Sequence, residues 1–350
     1  MTENAGRFKA FLKTKLVTLI AIWVVLIALF TVWAAVQDGD YTKFLSPTVL
    51  LEIGNQLVLT LFLSVGAALL LVSGNLDLSA SAIGAFSSIL VAAAMKFWGV
   101  PPAFAIILTI VAATLLGAFN AVLVNEFRIQ PFIATMAMAT VIRGICQWIS
   151  VEPGKVQPGP IILSKNPVIK FIADGKLFDL IPYTLILAIV AIIIYGLILA
   201  KTKFGMQIYM VGGNPQAARL SGISPRKTYY ALFANTGFCA GICGVIVAGR
   251  LGQGNGLALS NNQFTGLTAA ILGGISFGGG AGNMAGVFMG VLILATFDKG
   301  TTVVRFSSYL TTAFTGLLLL IALAYDYFSA RSASKAVGLI KPAKRAKKLS

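Results

Sequence analysis

IPYTLILAIVAIIIYGLILA, residues 181–200, runs for a full twenty positions without a single charge. An α-helix rises about 1.5 Å per residue, so a run of this length covers the roughly 30 Å hydrocarbon core of a bilayer. The stretch predicts a membrane-spanning helix, and the rest of the chain repeats the pattern. Of its 350 residues 57% are hydrophobic and only 11% charged, with a mean hydropathy of +0.89. Soluble domains carry about 25% charge, more polar surface than this chain can supply. Working outward, apolar blocks occur at 16–36, 47–72, 79–97, 101–124 and 131–150 before it, and at 229–249, 264–275, 284–298 and 308–328 after it. The expected fold class is therefore all-α, a polytopic membrane protein of about ten transmembrane helices, some of them broken or short. Block 47–72 is interrupted near its start by Glu52, Asn55 and Gln56. Block 264–275 ends in glycines, and 284–298 is too short to span at full thickness without neighbours. Block 16–36 follows a basic stretch but exceeds the apolar core of a signal peptide, so it is read as the first span.

The net charge of +16 does not indicate nucleic acid. The charges avoid the apolar blocks and gather at a few connections. Residues 1–15, Arg128, the loop 201–228 and the tail 329–350 hold most of the 27 Lys and Arg. The positive-inside rule makes that face cytoplasmic, with both termini on it. The domain plan is then a cytoplasmic N-terminus over 1–15, a transmembrane domain over 16–328 and a basic cytoplasmic tail over 329–350. The tail either touches anionic membrane lipid or only fixes topology. The proline-containing loop 151–180 reads as an ordered external connection with room for a short helix.

Cys146, Cys239 and Cys243 all lie in apolar blocks and read as packing residues, not a disulfide framework. The absence of histidine removes His-based proton relays, Ser-His-Asp triads and His metal ligands. No G-x-x-x-x-G-K-[ST] motif occurs, so the chain has no readable nucleotide site, and no cofactor or metal is expected on it.

The connection KTKFGMQIYMVGGNPQAARLSGISPRK, residues 201–227, is the most informative loop. Gly212 and Gly213 break the chain. Asn214 is a good N-cap, Pro215 suits the first helical position, and Gly222 suits the residue just past the helix end. Gln216 to Leu220 then form one or two turns, with Ala217, Ala218, Leu220 and Ile223 available to a partner groove. The alternative is a helix lying on lipid. Gly74-Asn75-Leu76-Asp77-Leu78-Ser79 joins the second and third spans, where Asp77 is expected to cap the following helix. Leu272 to Gly282 contains Gly273 and Gly274 within a glycine-rich stretch that permits broken helices or close backbone approach. Gly286 and Gly290, and likewise Gly237 and Gly241, have the small-xxx-small spacing of close helix packing. Polar groups inside spans are expensive in lipid and should face the interior or a water-filled path. Asn55, Gln56, Asn120 and Asn235, with the aromatic rings of Phe62, Phe86, Phe132, Trp148 and Phe264, are the candidates for a solute pathway. Amides beside rings suit a solute with hydroxyls and apolar ring faces, although packing alone accounts for any single ring.

These motifs, in this order, resemble the permease subunits of monosaccharide-type ABC importers, the ribose, xylose, galactose and autoinducer-2 group, over about residues 48–328. The family's glycine followed by D-L-S appears at Gly74-Asn75-Leu76-Asp77-Leu78-Ser79. Its F-I-A-T stretch appears at Phe132–Thr135, preceded by Arg128 and followed by Arg143-Gly144. Its F-G…N-x-x-A-A-R-x-S-G-I pattern appears from Phe204 to Ile223, and its L-G-G-x-S stretch at Leu272–Ser276. The resemblance implies an inner-membrane pore subunit without catalysis of its own. The pore would be completed by a second permease copy or paralogue. ATP and Mg would be bound on separate ABC ATPase subunits, and an external solute-binding protein would deliver a sugar-like solute. It further implies that Asn214, Pro215, Gln216, Ala217, Ala218, Arg219, Leu220, Ser221, Gly222 and Ile223 form the helix that couples to the ATPase. Where the family often has V-G-S after D-L-S, this chain has Ala80-Ser81-Ala82. The competing reading is an ion-gradient-driven secondary transporter of small polar solutes. That mechanism wants buried midplane carboxylates, whereas Glu52 and Asp298 fall near the outer ends of their spans. An intramembrane enzyme is disfavoured by the missing histidine.

Overall fold

The computed structural model describes residues 2–163, 166–178, 180–262 and 264–336. Helices dominate. They are α1 (Thr2–Asp38), α2 (Pro47–Val72), α3 (Ala80–Lys96), α4 (Pro102–Asn125), α5 (Pro131–Ile149), α6 (Pro167–Asp174), α7 (Tyr183–Lys201), α8 (Lys203–Gly213), α9 (Pro215–Leu220), α10 (Pro225–Leu251), α11 (Thr265–Leu272), α12 (Met284–Val303) and α13 (Ser308–Ala336). A helix stands at each of the ten apolar blocks. Seven of them, among the described residues, are long and apolar enough to cross a membrane: Lys15–Asp38, α2, α4, α5, α7, α10 and α12. The chain is a multi-pass membrane protein. α3 is shorter, and α11 has only eight residues.

Three expectations change. Block 284–298 is not short, because α12 continues through Asp298 and Lys299 to Val303. Those charges can stay helical because they meet a polar cavity instead of lipid. Glu52, Asn55 and Gln56 do not interrupt α2, which is continuous from Pro47 and opens with Ser46 as N-cap and proline in its first turn. The segment 203–213 is helical up to Gly213, so the chain breaks at Asn214, one residue beyond the glycines. The tail is helical as far as Ala336; the remainder of 329–350 lies outside the described residues.

α2 is the axis of the bundle. It is buried almost continuously from Leu57 to Val72, and α7, α10, α11 and α12 pack around it. In a bilayer, apolar contact alone does not drive helices together, so close backbone approach must. α4 and α10 supply it where Gly117 meets Gly237. A β-carbon on either glycine would overlap backbone of the opposite helix. On α12, Gly286 and Gly290 approach Gly273 and Ala269 of α11 in the same way. Leu187, Val190, Ile193, Ile194 and Leu197 of α7 point outward, as a span facing lipid requires.

The loop 151–180 contains the short α6, whose N-cap Asn166 accepts hydrogen bonds from Val168 and Ile169. Two small antiparallel ladders finish this end of the molecule. β1 (Ile161–Ile162) pairs with β4 (Gln253–Gly254), and β2 (Lys176–Leu177) with β3 (Ile181–Pro182). Glu152 accepts hydrogen bonds from Lys155 and Lys96, both at 2.6 Å, which hold its carboxyl down at about 2. Because the pair is solvated, it fixes geometry more than it stabilises.

Candidate functional site

The loop between α7 and α10 builds a small helix and holds it rigidly from both sides. Asn214 adopts an extended conformation, and its side-chain oxygen accepts from Gln216 and Ala217, both at 3.0 Å. Pro215 occupies the first helical position. At the other end Gly222 takes a φ of +81°, its N–H donates to Arg219, and the N–H of Ile223 donates to Ala218. This pair of bonds is a Schellman closure, which leaves a helix of six residues with satisfied ends. Gln216, Ala217, Arg219 and Leu220 are exposed, Leu220 at 91%. Ala218 is 1% exposed and packs into the protein's own body, so it is not available to a partner as its spacing suggested. Helical periodicity does not reveal which face of so short a helix meets its own bundle.

On one side, α9 is anchored through α8. Ile208 and Val211 of α8 are fully buried, and Tyr209 donates to the Gly282 carbonyl at 2.5 Å. At Gly212 the backbone of α8 lies directly on the last turn of α2. A β-carbon there would overlap the Val72 carbonyl oxygen. That oxygen accepts from the N–H of Gly280 at 2.7 Å. Gly279, in turn, sits against Gly74 and the Gly212 carbonyl with no room for a side chain. Three connections therefore meet backbone to backbone: the α2–α3 turn, the end of α8, and the loop from α11 to α12. On the other side, Glu126 at the end of α4 pairs with Arg226 at 2.7 Å and accepts from Tyr230 at 2.9 Å, fixing the start of α10 just after α9.

Asp77 belongs to this same end. Its Oδ1 accepts from the N–H and hydroxyl of Ser79 at 2.7 and 2.6 Å. Ser79 is the N-cap of α3, so Asp77 braces the cap residue and does not itself cap the helix, as had been expected. Asn120 of α4 donates to the Ser79 hydroxyl at 2.7 Å, and Thr135 of α5 accepts from Leu78 at 3.1 Å. Burial raises the Asp77 carboxyl above its usual range. The D-L-S turn is thus a buried joint of α3, α4 and α5. Gly273 lies in the α11–α12 contact and Gly274 turns the chain with a φ of +93°, so both have packing roles.

The nine polar and aromatic residues singled out for a solute pathway do not form one site. Asn120 is bound to Ser79, and Phe86 packs within the main hydrophobic cluster. Phe62 and Asn235 line an apolar groove of about 420 Å³ between α7 and α10, where Tyr195 donates to Asn235 at 2.5 Å. Phe132 and Trp148 project from the outward face of α5, which also exposes Thr140, Gly144 and Gln147. Phe264 is half-exposed just before α11. Asn55 and Gln56 line a polar cavity of about 700 Å³ at the end of the bundle opposite α9, between α2, α10, α12 and the start of α13. Two residues of that cavity were missed by the sequence. Arg250 donates to the Asn55 carbonyl at 2.5 Å and to Thr184 at 3.2 Å, and Asp298 faces the same cavity as Gln56. Their position in the last turns of apolar helices was the available signal.

The sequence profile of the family described as branched-chain amino acid transport system / permease component matches residues 49–323. A ribose import permease protein of Bacillus subtilis is 32% identical over 284 residues, covering 81% of this chain and 86% of its own. A xylose transport system permease protein of Escherichia coli is 29% identical over 359 aligned positions, 87% of this chain and 89% of its own. A D-allose transport system permease protein of Escherichia coli is 30% identical over 289 residues, 81% and 84% of the two chains. No solved structure matches at a significant level. The matched span runs from the first turn of α2 into α13 and includes α9, the glycine junction and the polar cavity.

Proposed function

Because the chain belongs to the permease-component family matched over 49–323, and within it to the permeases of monosaccharide-type ABC importers, we propose that it forms half of an inner-membrane pore for a sugar or sugar-like solute. Importers of this family work with ATPase and solute-binding partners. In this reading the residues from Asn214 to Ile223 seat in the ATPase subunit, which binds ATP and Mg. The binding protein delivers solute at the opposite end, where Asn55 and Gln56 line the polar cavity. Both termini and α9 are then cytoplasmic, consistent with the basic residues of loop 201–228 and with ten crossings of the membrane by α1–α5, α7 and α10–α13.

The observation that carries the reading is α9 itself: a satisfied, rigidly mounted helix that presents Leu220 to solvent. A short helix with both ends closed and a leucine held out from the bundle is the form a partner groove receives. The outward face of α5 supports a second copy. The exposed Gln147 amide is costly against lipid, and a partner subunit or a water-filled path between two copies relieves that cost.

The test is transport by the whole assembly. Membranes containing this chain, its ATPase and its binding protein should take up one of D-ribose, D-xylose or D-allose when ATP is supplied, and this chain alone should take up none. Uptake by the chain alone under an ion gradient would contradict the proposal, as would an assembly indifferent to sugars of this class.

A further inference from the structure

The cavity at the outer end of α2 has a composition that its structural role does not explain. Arg250 has a packing function there, tying the end of α10 to Asn55 of α2 and Thr184 of α7. Glu52 and Lys299 pair with each other across the rim. Asp298 is different. It is half-buried in the cavity wall beside Gln56, and among the described residues no lysine or arginine forms an ion pair with it. An ionisable side chain at a membrane helix end, facing a cavity and lacking a counter-ion, is expensive unless a ligand uses it.

The remaining wall specifies the ligand's chemistry. Phe306 turns a ring toward the cavity and is braced by Trp33 at 6.0 Å and Phe314 at 5.8 Å. Thr302 and Thr311 add hydroxyls. A carboxylate and an amide in one wall, an immobilised aromatic face and two threonine hydroxyls with lone pairs to offer match a polyhydroxylated ring with one apolar face. The volume of about 700 Å³ falls in the range of small-molecule sites and exceeds the needs of water alone.

We propose that this cavity is a sugar-binding site within each permease chain, where Asp298 and Gln56 bind ring hydroxyls and Phe306 stacks on the ring's apolar face. The inference rests on the sugar-importer reading and adds to it. The permease itself holds the solute after the binding protein releases it, within one subunit, before the pathway between subunits opens. A carboxylate accepts two hydroxyl donors, so a sugar lacking one of those hydroxyls leaves an Asp298 lone pair unsatisfied and binds less tightly.

The test uses Thr302→Cys in the full importer. Thr302 is exposed and lines the cavity, whereas the three native cysteines are buried. The probe is a membrane-impermeant maleimide, and the ligands are D-ribose, D-xylose and D-allose, with uptake of each measured in parallel. The transported sugar should slow labelling of residue 302 about tenfold at ten times its half-protecting concentration. Adding Asp298→Asn should abolish that protection, and a deoxy analogue should protect less than its parent. Should the Asp298 variant fail to accumulate, Gln56→Ala reads the same loss. If the assembly transports a sugar that leaves the labelling rate unchanged, or if protection survives both variants, the site is not there. If the wild-type assembly transports none of the sugars, it is the sugar-importer reading that fails.

Discussion

Leu220→Asp is expected to separate the permease from its ATPase while leaving the permease folded. Leu220 is the most exposed large apolar side chain of the α8–α10 connection and supports nothing within its own chain. Buried in a partner groove, a leucine of this kind acts as an anchor, and a charge in its place meets a desolvated pocket. The loss is about 2 kcal/mol or more, roughly thirtyfold or greater in affinity. Co-purification of the ATPase should therefore fail and ATP-driven uptake should cease, while the thermal unfolding of the isolated permease stays where it was. Ala218→Asp provides the contrast. That residue is buried, so the substitution should cost the permease its own stability, and the two variants should fail in distinguishable ways.

Gly212→Ala should be among the most damaging single-methyl changes in the molecule. The added carbon would occupy the space of the Val72 carbonyl oxygen and crowd Gly280, neither of which is a side chain that can turn away. The end of α8 must then lift off α2, breaking the Gly280–Val72 hydrogen bond and releasing α9 from the bundle. Overpacking against backbone costs about 3 kcal/mol. Gly213→Ala is the control, because a β-carbon at that position meets nothing within 4 Å. Paired thermal-unfolding measurements in detergent should show the first variant strongly destabilised and the second close to wild type. Equal behaviour of the two would mean that the three connections are not in contact.

Much of this architecture was legible in the sequence, for identifiable reasons. The spans follow from uninterrupted apolar length, which depends little on context, and α2 begins and ends where its apolar run does. α9 was legible because its two ends carry their own chemistry, an asparagine cap and a left-handed glycine, and local hydrogen bonds decide both. What was not legible depends on neighbours. α8 contains three glycines in KFGMQIYMVGG and reads as a loop; its helix is held by burial of Ile208 and Val211, a tertiary effect. The end of α12 was misplaced because Asp298-Lys299-Gly300 resembles a loop until the polar cavity beside it is known.

The candidate pathway was the least legible part. Residue type shows that Asn120 and Asn235 need partners, but not that one finds Ser79 and the other Tyr195. Phe86 and Trp148 are both aromatic residues in spans, yet one is packed in the core and the other projects outward. Conversely, Arg250 and Asp298 look like boundary charges in the sequence and come to line one cavity only when α2, α10 and α12 bring their ends together.

The account depends on α9 facing the cytoplasm and being gripped there by a motor subunit. Leu220→Cys, exposed to a membrane-impermeant maleimide in vesicles of both orientations, tests this most directly. Labelling should occur in inside-out vesicles only, and bound ATPase should suppress it. Labelling from the external side, or labelling that the ATPase leaves unchanged, would contradict the account at its base.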